Sequence, residues 1–288
     1  MMSTPHSMPQ RLSHFLIRTA VLAAPLLAAG GHAEAQSQPQ AIRLREIKDL
    51  DRLDPNWIMG MCNLPGLECN KVEVPRLFER KTEQGSEYYA LMEGLTLSRL
   101  VMKAPGRWEL LNRWSFTRYP LASGKEGEAD KPTMLDIHPA LYPAGPDLWA
   151  VAVLTSQTEG YSGGGAQFVK ADFVALDPKT TEVGEKQRLF AAVPFSCSKM
   201  VRACFTEKEY KTSPHCHDES TGFLTLKFTP SPSSNLYDWT ATWNQTSWPA
   251  GVPKSAQTKT QTAAALKPGK QAVAPGAFAF CEGGPPDQ

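Results

Sequence analysis

The sequence predicts a mainly β (α+β) fold: an antiparallel β-sheet domain with one or two short helices, stapled by disulfides, and a low-complexity C-terminal tail. Three observations carry that expectation. Apolar and β-branched residues recur in short runs, several alternating with polar ones and bounded by glycine, proline and serine turns. Only two or three stretches show helical spacing. Six cysteines, an even number, all lie downstream of a segment with the character of an export leader.

That segment is residues 1–35. Arg11 and Arg18 give a basic start, Thr19–Gly31 is a short apolar core, and Ala33-Glu34-Ala35 offers small residues where a signal peptidase cuts. The apolar run is too short to span a bilayer. The leader is bacterial in character, so the expected location is the periplasm or the medium. Residues 1–35 carry two basic and one acidic side chain; without them 28 basic residues balance 28 acidic ones. A neutral chain with no basic run has no electrostatic footprint for nucleic acid or anionic lipid, so neither is an expected partner, and no membrane span is expected. The expected division is a leader at 1–35, one globular domain at 36–248 and a tail at 249–288.

In chain order, AIRLREIKDLDRL places Leu44, Ile47, Leu50 and Leu53 at three-residue steps, which predicts an amphipathic helix stopped by Asp54-Pro55. From Tyr88 to Phe116 the alternation shortens to that of strands, broken by the Pro105-Gly106 turn, with a helix over 87–93 as the alternative. Residues 121–133 are a polar loop, and TMLDIHPALYP, with two prolines, predicts an edge strand. Residues 148–157 and 166–176 are strands flanking EGYSGGGAQF, and 223–228 and 236–243 form a second pair around TPSPSSN. CSKMVRACFTEKEY predicts a helix capped by Ser198, with Val201, Cys204 and Phe205 on one face. Residues 249–276 offer almost nothing to bury and read as low complexity; Phe278, Phe280 and Cys281 would tie the end back to the body.

Six cysteines allow 15 pairings. Cys62 and Cys69 flank the turn-forming Asn63-Leu64-Pro65-Gly66 and are expected to bridge. Cys197 and Cys204, on a helix, would lie about 10 Å apart, too far for one bond. Unless Cys197 precedes the helix and folds back, each needs another partner, and the expected pairs are Cys204 with Cys216 and Cys197 with Cys281.

Four patterns invite a functional reading. Gly160-Tyr161-Ser162-Gly163-Gly164 matches the nucleophile elbow, and Asp172 or Asp177 and His215 or His217 follow in serine-hydrolase order. An elbow needs a strand before the serine and a helix after it, whereas three glycines follow here, so a glycine hairpin tip is expected, with Tyr161, Ser162, Gly163 and Gly164 as a contact surface. Ser196-Cys197-Ser198-Lys199 and Ser233-Ser234-Asn235 resemble motifs of penicillin-recognising serine enzymes, but Lys267-Pro268-Gly269 lacks the third motif's threonine and falls in the tail. His138, His215 and His217, the histidines outside the leader, would make a three-histidine copper or zinc site if they met; the expectation is no metal and no cofactor. Tyr237, Trp239, Ala241 and Trp243 share one strand face and are expected in the core rather than at a sugar.

No catalytic set is complete, so the balance favours binding over catalysis. The functional expectation is an exported, periplasmic protein-binding module of the inhibitor or immunity type, acting on an envelope enzyme. The competing expectation is a secreted serine hydrolase using Ser162 with a histidine from 215–217.

Overall fold

The computed structural model describes residues 38–50, 54–67, 69, 75–92, 95–120, 134–268, 272–274 and 276–283. The expected leader at 1–35 and the expected polar loop at 121–133 lie outside the described residues, as do parts of the expected tail. The fold is mostly antiparallel β-sheet, arranged as two sheets.

The smaller sheet has five strands in chain order: β2 (Arg45–Glu46), β3 (Arg76–Thr82), β4 (Gly85–Met92), β5 (Thr96–Ala104) and β6 (Arg107–Ser115). The larger has nine and also runs nearly in chain order. It comprises β1 (Ile42–Arg43), β7 (Met134–Ile137), β8 (Ala140–Pro143), β9 (Trp149–Tyr161), β10 (Gly164–Ala175), β11 (Arg188–Arg202), β12 (His217–Pro230), β13 (Tyr237–Trp248) and β14 (Thr258–Ala265). Hairpin connections between consecutive strands explain this order: neighbours in sequence pair antiparallel across short turns.

Period-two patterning then decides which face meets what. On β9 and β10, Val151, Val153 and Val174 face the smaller sheet and pack with Phe78, Tyr89, Leu97 and Trp114. Ala150, Ala152 and Phe173 point the other way, into a second core with Trp239 and Trp243. The aromatic stripe of β13 is therefore core: Trp239 and Trp243 are buried, and Tyr237 packs at their margin. A third core forms beneath α1 (Pro55–Cys62), where Trp57, Tyr88 and Trp108 meet edge to face.

The second core is closed by the chain's end. Ala272, Val273, Phe278 and Phe280 cover it, and Cys281 bonds to Cys197 on β11. Gly222 on β12 is what lets this lid sit down. A Cβ there would lie 2.3 Å from the Trp243 ring and 3.0 Å from Cys197 Sγ. Gly222→Ala should therefore cost about 1–3 kcal/mol through overpacking, seen in a denaturant melt as a lower midpoint with an unchanged slope.

Four expectations need correction. Residues 41–49 are not helical; they supply β1 and β2, Leu44 is buried between the sheets, and residues 51–53 of the expected helix lie outside the described residues. Three-residue apolar spacing is not unique to helices, and here the segment breaks direction to edge both sheets. Residues 87–93 are strand through Met92, which removes the helical alternative. The region 197–210 is also not one helix. β11 runs to Arg202, and only α2 (Glu207–Thr212) is helical, capped by Thr206 rather than Ser198. Finally, the tail from 249 contains β14, whose backbone pairs with β13 although its side chains are nearly all exposed. Backbone pairing needs no apolar side chains, so composition gave no sign of it.

Three disulfides join Cys62 to Cys69, Cys197 to Cys281 and Cys204 to Cys216, with Cα separations of 5.1, 6.0 and 5.0 Å. These are the pairs expected from the sequence, although the helix invoked to separate Cys197 from Cys204 does not exist. β11 carries Cys197 and runs on extended to Arg202, about 16 Å away at about 3.3 Å per residue, which separates it further still from Cys204 beyond the strand's end. Among the described residues no helix is long and apolar enough to cross a membrane.

Candidate functional site

The expected contact loop is a hairpin tip. Tyr161 pairs with Gly164 across a two-residue turn, Ser162-Gly163, with Gly163 at φ +91°. Of the three glycines only this one uses the positive-φ freedom of glycine. Gly164 is required for space, because a Cβ would fall 2.2 Å from the Met200 carbonyl oxygen. Ser162 is followed by a strand, so the strained strand-to-helix elbow of a nucleophilic serine is not formed.

The other members of the hydrolase order are committed elsewhere. Asp172 lies ten residues from Ser162 along β10, roughly 30 Å away. It is buried, accepting hydrogen bonds from the Ala192 N–H and the Tyr119 hydroxyl. Asp177 caps a turn by accepting from the Lys179 N–H. Ser196 and Lys199 stand three residues apart on β11, where odd spacing puts side chains on opposite faces. Ser233 and Asn235 sit in the turn between β12 and β13, far along the sheet.

The histidines divide. His138 is half-buried beside β8, bonded through Nδ1 to the Tyr142 hydroxyl at 2.8 Å and packed edge-on against Phe195. Burial, with the nearby Arg43 charge, holds its pKa below the usual imidazole value. His217 instead pairs in register with Arg202, seven residues further along β11 and so about 23 Å from Phe195. The three-histidine set expected from the sequence therefore does not assemble.

What does assemble is the far end of the larger sheet. The Arg202 N–H donates to the Gly163 carbonyl at 2.7 Å, which fastens the hairpin tip to the end of β11. Beyond Arg202, the Cys204–Cys216 bond closes a loop containing α2. The loop is ordered locally by a capping box, in which Thr206 accepts from the Glu209 N–H and Glu209 accepts from the Phe205 and Thr206 N–H groups. The Arg202 guanidinium lies over both the Phe205 and Tyr210 rings, 5.3 and 5.6 Å from their centroids. Phe205 is 68% exposed, Tyr210 48%, Met200 44% and Tyr161 41%. Met200 and Arg202, two residues apart on β11, share one face of the sheet, whereas Tyr161, in register with Gly164 and through it with Val201, lies on the other, its hydroxyl donating to the Met200 backbone carbonyl.

The same disulfide presents the histidine pair. His215 stacks flat on Trp248, ring centroids 3.4 Å apart, and its carbonyl accepts from the Gly251 N–H. His215, His217 and Glu219 bring one ligand-capable atom each to within 4.8 Å of one another. Glu219, Trp248, Met200, Phe205 and Tyr210 were not singled out from the sequence as site residues. The signal for Glu219 was present in H-C-H-D-E, whose alternate positions share a face once the segment is extended. The aromatic cluster gave none, because its members come from separate elements.

A cleft lies at the smaller sheet's edge, lined by Arg45, Ile47, Trp57, Glu79 and Tyr88 among others. Burial raises the Glu79 pKa, but hydrogen bonds from Lys81, Arg45 and Ser86 outweigh it and bring the carboxyl down to about 2. With these partners Glu79 is a structural anion. No family model, curated protein or solved structure matches the chain.

Proposed function

We propose that this chain is an exported, periplasmic protein-binding module of the inhibitor or immunity type, and that it docks through the Arg202-centred end of its larger sheet. The observation that carries the reading is the exposed pair of Phe205 and Tyr210 against the Arg202 guanidinium, with exposed Met200 on the same strand face as Arg202. Aromatic residues, methionine and arginine are the types enriched at the energetic centres of interfaces. Preorganisation supports it further. A disulfide, a capping box and a tight hairpin hold the cluster, so little side-chain and loop entropy is lost on docking. The fitting partner is a folded envelope protein offering a carboxylate to Arg202 beside an apolar side chain for the rings. The hydrolase reading has less support, since Ser162 lacks the elbow and Asp172 is spent in the core.

The double variant Phe205→Ser, Tyr210→Ser should keep its melting temperature, because both side chains are exposed. It should lose at least thirtyfold in affinity for a partner captured from periplasmic extract by the unaltered chain, the effect of removing one hot spot of about 2 kcal/mol. Equal affinity of both forms for every captured partner would sink the proposal.

A further inference from the structure

We infer that His215, His217 and Glu219 form a binding site for a divalent transition-metal ion of the zinc class, with an open fourth position. The observations are independent of the docking surface. The His215 side chain is 9% exposed, and its Nε2 is buried with no hydrogen-bond partner. A buried imidazole nitrogen without a partner is costly, so natural sites supply one. The nearest candidate is Glu219 Oε1 at 3.6 Å, too long for a hydrogen bond. That separation is instead close to the roughly 3.4 Å between two donors that each sit about 2.0–2.1 Å from one tetrahedral zinc ion.

His217 completes the set. It starts β12, so its side chain and that of Glu219, two residues on, project to the same face. All three ligand-capable atoms lie within 4.8 Å of one another, a spread that small side-chain rotations close. Two imidazoles and one carboxylate form the donor set of open zinc sites, in which water or another ligand takes the fourth place. The scaffold is rigid where a metal needs it to be. Trp248 stacks beneath His215, the Gly251 N–H and the Ser213 hydroxyl fix its carbonyl, and the Cys204–Cys216 bond anchors the residue between the two histidines. The bridge also keeps Cys216 out of the coordination sphere. Arg202, in register with His217, is a neighbouring positive charge, but its guanidinium is turned onto Phe205 and Tyr210.

The test uses the oxidised full chain, purified without a polyhistidine tag, freed of metal by chelator and titrated with ZnCl₂ by calorimetry. The expected result is one ion per chain. His217→Ala and Glu219→Gln should each weaken binding at least tenfold, while His138→Ala leaves it unchanged. Substituted Co²⁺ should show the visible absorption of a four-coordinate site and lose it in Glu219→Gln. Glu219 is partly exposed, so that variant should fold even if a histidine variant does not. No saturable zinc binding by the parent chain, or binding undiminished in both His217→Ala and Glu219→Gln, would overturn the site.

Discussion

Removing the Cys197–Cys281 disulfide should destabilise the protein by about 4–5 kcal/mol, more than removing either of the other two. The bond closes a loop across 84 residues, against 7 for Cys62–Cys69 and 12 for Cys204–Cys216. Chain-entropy arguments assign about 4.5 kcal/mol to the long loop and about 2.5 and 3 kcal/mol to the shorter ones. Native packing adds to the difference. Cys281 is fully buried, and Phe280 beside it contacts both Trp243 and Phe168. Phe280 and Cys281 both hold positive φ angles, 40° and 58°, a conformation that persists only when its surroundings impose it. Gln245 is part of that imposition: its buried side-chain oxygen accepts from the Cys281 N–H and from the Trp243 indole N–H. The measurement is non-reducing urea unfolding of Cys197→Ala/Cys281→Ala beside Cys62→Ala/Cys69→Ala. The first should also become sensitive to proteolysis between Leu266 and Phe280. A smaller loss in the first than in the second would show that the lid contributes little.

Sulfur pairing was legible because cysteines carry their constraint in one residue. The long hairpins were legible for a related reason. Val151 and Val153 facing one core and Ala150 and Ala152 the other produce a continuous apolar run, while Trp239, Ala241 and Trp243 alternate with threonines. What failed was local spacing in segments whose partners are distant. Leu44 and Ile47 satisfy a helical pattern, yet their N–H groups donate to Pro139, just before β8, and to Leu77 on β3, 30 and more residues on. Val201, Cys204 and Phe205 likewise fit one helical face, but β11 is held extended by β10 and β12 on its two sides. The true helix start was written nearby: Thr206-Glu207-Lys208-Glu209 is a capping-box sequence. The candidate sites follow the same rule. The histidine pair is local and was visible, whereas the patch around Arg202 draws on β11 and α2 and exists only in the fold.

Asp172→Ala should cost about 3–5 kcal/mol, because it removes the acceptor on which a break in the sheet depends. Between Ala171 and Phe173 the register with β11 slips from Val193 to Phe190, so Ala191 and Ala192 stand opposite Asp172 alone. Ala192 takes φ +51° there, and its N–H, turned out of the ladder, donates to Asp172 Oδ1 at 2.7 Å. The other carboxylate oxygen accepts from the Tyr119 hydroxyl at 3.1 Å and lies 3.6 Å from the Arg188 guanidinium. Arg188 and Asp172 are only 8% and 5% exposed, so truncating the carboxylate leaves a buried cation with less compensation, together with an unmade backbone bond. Asp172→Asn retains an acceptor for Ala192 but not the charge, and should fall between the parent and the alanine variant. Substituting Asp172→Leu with Arg188→Met should recover much of the loss, since removing both charges costs less than stranding one. The network also fixes a pH limit. Burial, then the Asp172 charge, push the Tyr119 pKa well above the ordinary phenol value. A raised folded-state pKa means the stabilisation is complete below about pH 10 and declines as pH climbs beyond it. Urea midpoints measured from pH 8 to 11 should therefore fall at the alkaline end, and the fall should shrink in Tyr119→Phe. An Asp172→Ala variant within about 1 kcal/mol of the parent would show that the bulge is held by strand packing alone.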